Sequence, residues 1–197
     1  MCASSARRLD STPSGRRGHD EDQLIRRARA GDADAYGELV VPHRASALRV
    51  ATVVLGTPDG ADDVVQQAME RAWRSLSLFQ HGRAFRPWLL RIVANTARND
   101  RRSRGRRAHL AVRAAHASAR DAVVSPEDVV VSELERRRVV AALNRWRAGD
   151  RLVVALRHFE QLSEREMAEV LDRPVGTVKS RLARAMGRLR TELERDG

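Results

Sequence analysis

A capping box followed by a proline-initiated helix is the feature that most constrains what this chain can fold into. Ser163 precedes Glu166 by three residues and an apolar run follows, which predicts a short helix directly after the serine. Asp172 and Arg173 are expected to form a turn. The next helix is predicted to start at Pro174, because a helix start tolerates the missing N–H of proline. A short helix, a tight turn and a longer helix together predict a helix-turn-helix unit.

The longer helix of this unit has two distinct faces. Its apolar residues repeat at the helical period and form one stripe, which consists of Val178, Leu182, Ala185 and Leu189. The opposite face combines two charges, a hydroxyl and two small residues, namely Lys179, Ser180, Ala183, Arg184 and Gly187. Small residues allow close approach to a surface and the charges favour an anionic one, which indicates nucleic-acid recognition. A helical hairpin with a solvated charged face is the alternative that the pattern leaves open.

The charge balance of the chain also favours an anionic partner. A net charge of +11 over 197 residues points to nucleic acid or to an anionic membrane surface. Of the 37 basic residues only Lys179 is a lysine, so the chain carries a compositional bias and no single arginine is evidence by itself. No apolar run approaches the 18 or so residues that a transmembrane helix needs, and we expect no membrane insertion.

Helical periodicity extends along most of the chain and no convincing strand pattern interrupts it, so the predicted fold class is all-α. We expect two small helical domains joined by a flexible linker, with the helix-turn-helix in the second. The predicted divisions are a disordered leader over 1–20, an N-terminal domain over 21–104, a basic linker over 105–126 and a C-terminal domain over 127–197. Such a linker would let the two domains contact sites that are tens of ångströms apart.

The predicted helices of the first domain cover about 22–30, 33–55, 60–77 and 86–103, with a kink or break at Pro42. In the second domain, further helices are predicted over about 127–146 and 150–159, before the helix-turn-helix.

The segment over 85–107 combines aromatic, amide and arginine side chains. Those singled out here are Phe85, Trp88, Arg91, Asn95, Asn99 and Arg102. Aromatic rings stack on unpaired bases, amides read base edges and arginines neutralise phosphates, so the combination favours nucleic-acid binding. The alternative is that Trp88 belongs to the core and that the arginines form a solvated helix end.

The segment over 61–73 presents a mildly acidic, amide-rich face on a basic chain. Its members are Asp62, Asp63, Gln66, Gln67 and Glu70. Such a face suits a basic protein surface. The alternative is ordinary charge at a helix start, where acidic residues are favourable in any case.

Several classes of site are not expected. The single cysteine, Cys2, excludes an intramolecular disulfide and a cysteine-based zinc site, and the six histidines show no ligand-like clustering. The sequence has no phosphate-binding GxxxxGK[ST] loop and no nucleophile with a plausible base. We therefore expect a protein that is not an enzyme, needs no metal or cofactor and resides in a cytoplasmic, reducing compartment.

Four segments in their order along the chain resemble bacterial RNA polymerase sigma factors of the extracytoplasmic-function (ECF) subfamily. They read "GDADAYGELVVPHR", "ADDVVQQAMERAW", "FRPWLLRIVANTARNDRRSRGRR" and "LSEREMAEVLDRPVGTVKSRLARAMGRLR". The resemblance covers about 22–107 and 127–193. It implies a dissociable specificity subunit that directs core RNA polymerase to promoter DNA and assists promoter opening, and it adds an anti-sigma protein as a further candidate partner.

The resemblance also implies a role for each candidate residue. It implies that the clamp helices of the largest polymerase subunit are contacted by Asp63, Gln66 and Gln67. It implies that the minus-10 element is recognised and opened by Phe85, Trp88, Arg91, Asn95, Asn99 and Arg102. In the minus-35 element, Lys179, Ser180 and Arg184 would face base edges, while Thr177 and Arg181 would contact phosphates.

Two positions depart from the family's usual pattern. Gln67 stands where a glutamate is common, and Asp172 stands where a glycine is common. Aspartate can still adopt the left-handed turn conformation, so the helix-turn-helix remains expected. Two other functions stay open at this point. One is a free-standing helix-turn-helix regulator, which would leave 61–73 and 85–107 without a purpose, and the other is an enzyme such as a DNA recombinase.

Overall fold

A computed structural model describes residues 13–80, 82–112, 143 and 145–195. These residues form eight longer helices and no strand, which confirms the all-α prediction. The helices are α1 (Pro13–Arg29), α2 (Ala33–Val40), α3 (Arg44–Leu55), α4 (Ala61–Ser75), α5 (Phe85–Val112), α6 (Ala148–His158), α7 (Glu164–Leu171) and α8 (Val175–Arg195). Single 3₁₀ turns follow α2 at Val41–His43 and α4 at Leu76–Leu78.

The N-terminal domain is built from α1 to α5, with α5 packed against both α3 and α4. Local signals set several helix ends. The Asp32 carboxylate accepts a hydrogen bond from the Ala35 N–H at 2.9 Å and caps α2. Pro42 lies in the 3₁₀ turn, so the predicted 33–55 helix is broken there. Gly56 ends α3 with a positive φ of 85°, a conformation that glycine adopts without strain.

Two predicted boundaries are wrong. Helix α1 begins at Pro13, so 13–20 is helical and the predicted leader is too long; proline suits a first helical position because no N–H is needed there. Helix α5 runs to Val112, so 105–112 is helical rather than linker. This stretch contains no proline and is rich in arginine and alanine, which favour helix enough to carry it through Gly105. The predicted leader over 1–12 and linker over 113–126 lie outside the described residues.

The helix-turn-helix is present as predicted, in α7 and α8. The Ser163 hydroxyl accepts from the Glu166 N–H, and the Glu166 carboxylate accepts from the Ser163 N–H at 2.8 Å, which completes the capping box. Asp172 ends α7 in the left-handed conformation, with φ 54° and ψ 52°. The apolar stripe of α8 faces inward, with Val178, Ala185 and Leu189 buried and Leu182 partly buried. The predicted 127–146 helix lies almost wholly outside the described residues.

The two domains share one apolar core, a contact that the sequence analysis did not predict. Helices α3 and α5 of the first domain pack against α6 and α7 of the second. The shared cluster joins fully buried side chains from both sides, including Val50, Leu90, Val93, Leu152, Leu156 and Met167. Each Å² of apolar surface removed from water contributes about 25 cal/mol of stabilising free energy, so a contact between aliphatic side chains is stable in water.

Removal of the capping serine has a predictable cost. We expect Ser163→Ala to lower the free energy of unfolding by about 1 kcal/mol, because the Glu166 N–H then lacks its partner at the start of α7. The melting temperature should fall by about 2–4 °C for a chain of this size. Thr191→Ala is the matched control, since the exposed Thr191 hydroxyl donates to the Gly187 carbonyl within α8 and caps no helix start. Equal melting temperatures for the two variants would contradict a stabilising role for this cap.

Candidate nucleic-acid interface

The outer face of α8 is exposed near its N-terminus, as the sequence predicts. Thr177, Lys179, Ser180 and Arg184 are all exposed. The Ser180 hydroxyl donates to the Thr177 carbonyl at 3.1 Å, and the Arg184 Nε donates to the Ser180 carbonyl at 3.3 Å. These contacts lie within one helix, so the polar side chains remain accessible to a ligand in the solvent. A helix in this position of a helix-turn-helix fits the major groove of DNA.

A cleft of about 540 Å³ lies beside this face and is strongly basic. Five arginines line it: Arg147, Arg173, Arg181, Arg184 and Arg188. Asp150 accepts from the Arg181 Nε at 2.8 Å and holds that guanidinium in place. Sequence reasoning named Arg181 and Arg184 but missed Arg147, Arg173 and Arg188. The chain is so rich in arginine that no single one is evidence of a site, and only the fold brings these five together. The arrangement suits a phosphate backbone running past α8.

Arg188 is fixed by its neighbours at the back of this cleft. Its guanidinium carbon lies 4.8 Å from the centroid of a Trp146 ring, and its Nε donates to Glu192 at 2.7 Å. The Trp146 Nε1 donates to the same carboxylate at 2.9 Å. Burial tends to raise the pKa of Glu192, but the hydrogen bonds from Trp146 and Arg188 outweigh it and lower that pKa. The carboxylate therefore stays ionised and orients the arginine.

Three of the six candidate minus-10 residues on α5 are exposed. Asn95, Asn99 and Arg102 lie at the surface. The Arg98 Nη1 donates to the Asn95 Oδ1 at 2.7 Å, which orients the amide. The pKa of Arg98 is lowered by burial and by the positive charges of Arg102, Arg181 and Arg173. Two of those charges belong to the helix-turn-helix, so the fold brings the cations of α5 and α8 close together.

Arg91 also reaches the helix-turn-helix. Its Nη2 lies 3.0 Å from the Asp172 Oδ1, at the turn between α7 and α8. This candidate DNA-binding arginine is therefore engaged by the second domain in the present conformation. This pairing could not be predicted from local sequence patterns, because the two residues are far apart along the chain.

The structure contradicts the assignment of Phe85 to a DNA surface. Its side chain is 0% exposed and packs against Phe79 and Trp88, with ring centroids 5.8 and 5.5 Å apart. An apolar ring at the first position of α5 is enclosed by the aromatic cluster that anchors the helix start. Trp88 packs in the same cluster, against Phe79, but is only half-buried. Part of its ring is therefore accessible to solvent.

The candidate polymerase-binding face on α4 is exposed as well. Asp63, Gln66 and Gln67 are at the surface, while the opposite side of α4 buries Val64 and Ala68. Their acidic neighbours are engaged within the domain: Asp62 pairs with Arg44, and Glu70 pairs with Arg74. Asp63, the charged residue of the three, makes no ion pair with any residue that the structure describes.

The described part of the chain offers neither a metal centre nor a helix that could span a membrane. Within residues 13–80, 82–112 and 145–195, no group of three or more His, Cys, Asp or Glu side chains is placed to hold a metal ion. None of the helices formed by the described residues is both long and apolar enough to cross a bilayer. Cys2 lies outside this part.

Family models match both domains. The model for Sigma-70 region 2 matches residues 39–107, which include α3, α4 and most of α5. The model for Sigma-70 region 4 matches residues 136–189, which include the helix-turn-helix. The two matches cover the segments that carry the candidate polymerase, minus-10 and minus-35 residues.

Curated relatives match almost the whole chain. The RNA polymerase sigma factor NccH of Alcaligenes xylosoxydans xylosoxydans is 36% identical over 177 residues, which are 88% of this chain and 95% of the relative. The ECF RNA polymerase sigma-E factor of Escherichia coli (strain K12) is 34% identical over 171 residues, which are 82% of this chain and 88% of the relative.

Solved structures agree with these relatives. CnrH, solved in complex with the cytosolic domain of CnrY, superposes with a TM-score of 0.64 at 31% identity and covers 90% of this chain and 99% of its own. The sigma factor RpoE, solved with the anti-sigma factor NepR from Bartonella quintana, has a TM-score of 0.64 at 24% identity, covers 82% of this chain and 98% of its own, and supports the fold. This chain belongs to the ECF subfamily of RNA polymerase sigma factors, which direct RNA polymerase to promoters.

Proposed function

We propose that this sigma factor divides its work among three surfaces: α8 reads the minus-35 element, α5 reads and opens the minus-10 element, and α4 binds core polymerase. The observation that carries the proposal is the exposed polar face of α8 beside an arginine-lined cleft. Both features suit DNA, since side chains in the major groove read base edges and arginines along the backbone fix the register.

At the minus-35 element, Lys179, Ser180 and Arg184 are the base-reading residues of the proposal. Thr177 and Arg181 contact phosphates. The pairing of Arg181 with Asp150 supports this division, because the carboxylate, 2.8 Å from the Arg181 Nε, holds this arginine in the wall of the basic cleft that suits a phosphate backbone. The helix N-terminus adds a favourable partial positive charge for the phosphate near Thr177.

At the minus-10 element, the exposed amides of Asn95 and Asn99 and the accessible part of Trp88 act on unpaired bases. Opening each base-pair step costs about 1–2 kcal/mol, and the chain has no GxxxxGK[ST] loop for nucleotide hydrolysis. Capture of unpaired bases together with the polymerase's own contacts therefore supplies the free energy of opening. The protein acts in the cytoplasm as a non-catalytic subunit and uses no cofactor of its own.

An anti-sigma protein is a further candidate partner. The structural relative RpoE was solved in complex with the anti-sigma factor NepR, and CnrH was solved in complex with the cytosolic domain of CnrY. The free-standing regulator is not favoured, because the Sigma-70 region 2 match covers the α4 and α5 segments that such a regulator leaves unexplained.

The α4 surface gives a specific prediction. We expect Asp63→Arg to weaken binding to core RNA polymerase by about tenfold or more, because it places a cation where the proposed contact needs an anion. Glu38→Arg is the matched control, since Glu38 is an exposed acid on α2 of the same domain. The measurement is the dissociation constant for core polymerase from a fluorescence-anisotropy titration. Equal losses for both variants would mean that α4 has no specific role.

Run-off transcription tests the proposed function as a whole. Core bacterial RNA polymerase is incubated with a fragment library from the chain's own genome, with and without this protein. New start sites that share two upstream elements are the expected result. No new start sites, together with a failure to co-elute with core polymerase, would overturn the proposal in favour of the free-standing regulator.

A further inference from the structure

A basic cavity of about 400 Å³ lies between α5 of the first domain and the start of α6 in the second. This α5–α6 cavity is lined by Val54, Arg98, Arg101, Arg102, Ala148 and Gly149. Among these described residues three are arginines and none is acidic. The arginines are spaced at i, i+3 and i+4 along α5, so their side chains leave one face of the helix. A concave site with charge of one sign concentrates ions of the opposite sign, so the cavity favours an anion.

Arg98 is the most enclosed of the three arginines. Its Nη1 donates to the Asn95 Oδ1 at 2.7 Å, and this neutral partner leaves the positive charge uncompensated. Burial and the positive charges of Arg102, Arg181 and Arg173 lower the pKa of Arg98. The guanidinium nevertheless stays protonated at neutral pH, so the repulsion among these cations remains until an anion binds.

The acids on α5, on α6 and at the turn before α8 are already paired with other arginines. The pairs are Asp100–Arg104, Asp150–Arg181 and Asp172–Arg91. Neither Arg101 nor Arg102 forms an ion pair with a residue that the structure describes. The α5–α6 cavity therefore has an excess of positive charge that no described carboxylate neutralises.

The start of α6 adds to the positive potential of the cavity. Ala148 and Gly149 belong to the first turn of α6, and no described side chain caps this helix start. A Cβ at position 149 would lie 2.5 Å from the Arg181 Nη2, so Gly149 leaves room for this guanidinium beside the cavity. The partial positive charge of the helix start and the charge of Arg181 thus add to the field of the three arginines on α5.

The size of the α5–α6 cavity favours a compact anion over DNA. Small-molecule sites have volumes of about 300–1,000 Å³, a range that includes this cavity. A DNA duplex, whose major groove alone is about 12 Å wide, does not enter a concave space of this size.

The chemistry of the lining favours phosphate. A guanidinium presents a planar fork of donors that matches two phosphate oxygens, and several such groups suit several adjoining phosphates. We propose that the α5–α6 cavity binds a compact polyphosphate, inorganic or part of a nucleotide, through Arg98, Arg101 and Arg102. The site itself is independent of the proposed function. Its consequence rests on that function: Arg102 is also a minus-10 candidate, so the bound anion competes with promoter DNA.

Isothermal titration calorimetry of the full chain with sodium tripolyphosphate tests the site. At about 0.15 M salt we expect a single binding event. The double variant Arg98→Gln/Arg101→Gln should weaken it by about tenfold or more, because two charge-assisted contacts are lost. Arg190→Gln/Arg195→Gln is the matched control, since it removes two exposed charges from the end of α8. Equal losses from both double variants, or no binding by the wild-type chain, would overturn the proposal.

A variant that supplies its own anion separates ligand binding from folding. Ala148→Glu places a carboxylate beside the arginines, at a first helical position where an acid is favourable. We expect it to raise the melting temperature and to weaken tripolyphosphate binding by about tenfold or more, whereas the neutral Ala148→Gln should retain most of the binding. A folding defect would lower the melting temperature, so it cannot produce this combination. A raised melting temperature with unchanged binding would contradict a ligand in this cavity.

Two further titrations identify the source of the phosphates. Equal affinities for adenosine triphosphate and tripolyphosphate would indicate that the cavity holds the phosphate chain alone. Tighter binding of the nucleotide would indicate that its base also contacts the cavity, where Val54 and Ala148 provide apolar surface. Either result supports the proposal. An equal affinity for sulfate at the same ionic strength would contradict it, because the arginines would then not select a multivalent chain.

Promoter binding by the holoenzyme tests the consequence. Tripolyphosphate is expected to weaken binding of the wild-type holoenzyme to a promoter fragment in a mobility-shift titration without Mg²⁺, which avoids effects of chelation. Arg101→Gln, at a position that is not a proposed promoter contact, should reduce this inhibition. Unchanged inhibition would contradict competition at the cavity. If the wild-type holoenzyme binds no promoter, the proposed function fails, while calorimetry of the free chain still decides whether the polyphosphate site exists.

Discussion

Replacing Lys179 and Arg184 together by alanine is expected to reduce run-off transcription from the chain's own promoters by about 100-fold. Each well-placed contact to a base contributes about 1–3 kcal/mol, and both side chains lie on the exposed face of α8. Neither side chain packs in the core, so the melting temperature should change little. The measurement is the transcript yield at a fixed, limiting concentration of the sigma factor.

Arg190→Ala is the matched control for this pair. It removes a charge from the same helix at an exposed position about two turns further along. We expect a small, sequence-independent loss from the control and a loss that depends on the minus-35 sequence from the double variant. Similar losses from both would mean that α8 contributes only general electrostatic attraction, and the base-reading role would be lost.

The second large effect is expected at Trp88. Trp88→Leu keeps much of the apolar contact with Phe79 and Phe85 but removes the ring that stacks on an unpaired base. Stacking of one base on an aromatic ring contributes about 1–3 kcal/mol, so promoter opening should fall by about tenfold to 100-fold while binding to closed duplex falls less. The two steps are measured by permanganate reactivity of unpaired thymines and by electrophoretic mobility shift.

Trp73→Leu provides the comparison, because Trp73 is also half-buried in the first domain and its ring packs on Tyr36 with centroids 4.8 Å apart. Both substitutions should lower the melting temperature, but only Trp88→Leu should impair opening. A template that is already unpaired over the minus-10 element should reduce the defect of Trp88→Leu. Equal losses in duplex binding and opening would show that Trp88 acts only through the fold.

Arg91 has one partner in this structure and a different one in the proposed complex. In the structure it pairs with Asp172, and at a promoter it would face DNA. The exchange of a carboxylate for a phosphate keeps the guanidinium paired in both states, which avoids the cost of an unpaired charge.

The amino-acid sequence by itself determined the local features of this protein. The capping box at Ser163, the break at Pro42, the left-handed turn at Asp172 and the apolar stripe of α8 depend on contacts within a few residues. Such features follow from the hydrogen-bonding and conformational preferences of each residue type, so a pattern is sufficient to predict them. The order of the motifs likewise sufficed to indicate the family.

Only the tertiary structure decided what happens between distant segments. Glu160 receives Arg49 and Arg86 across 111 and 74 residues, and nothing near it in the sequence marks it for burial. The same is true of Phe85, whose enclosure depends on Phe79 and Trp88 together, and of the arginines that gather in the cleft beside α8. Burial and pairing arise when helices pack, and because packing joins residues from all over the chain, no local pattern specifies them.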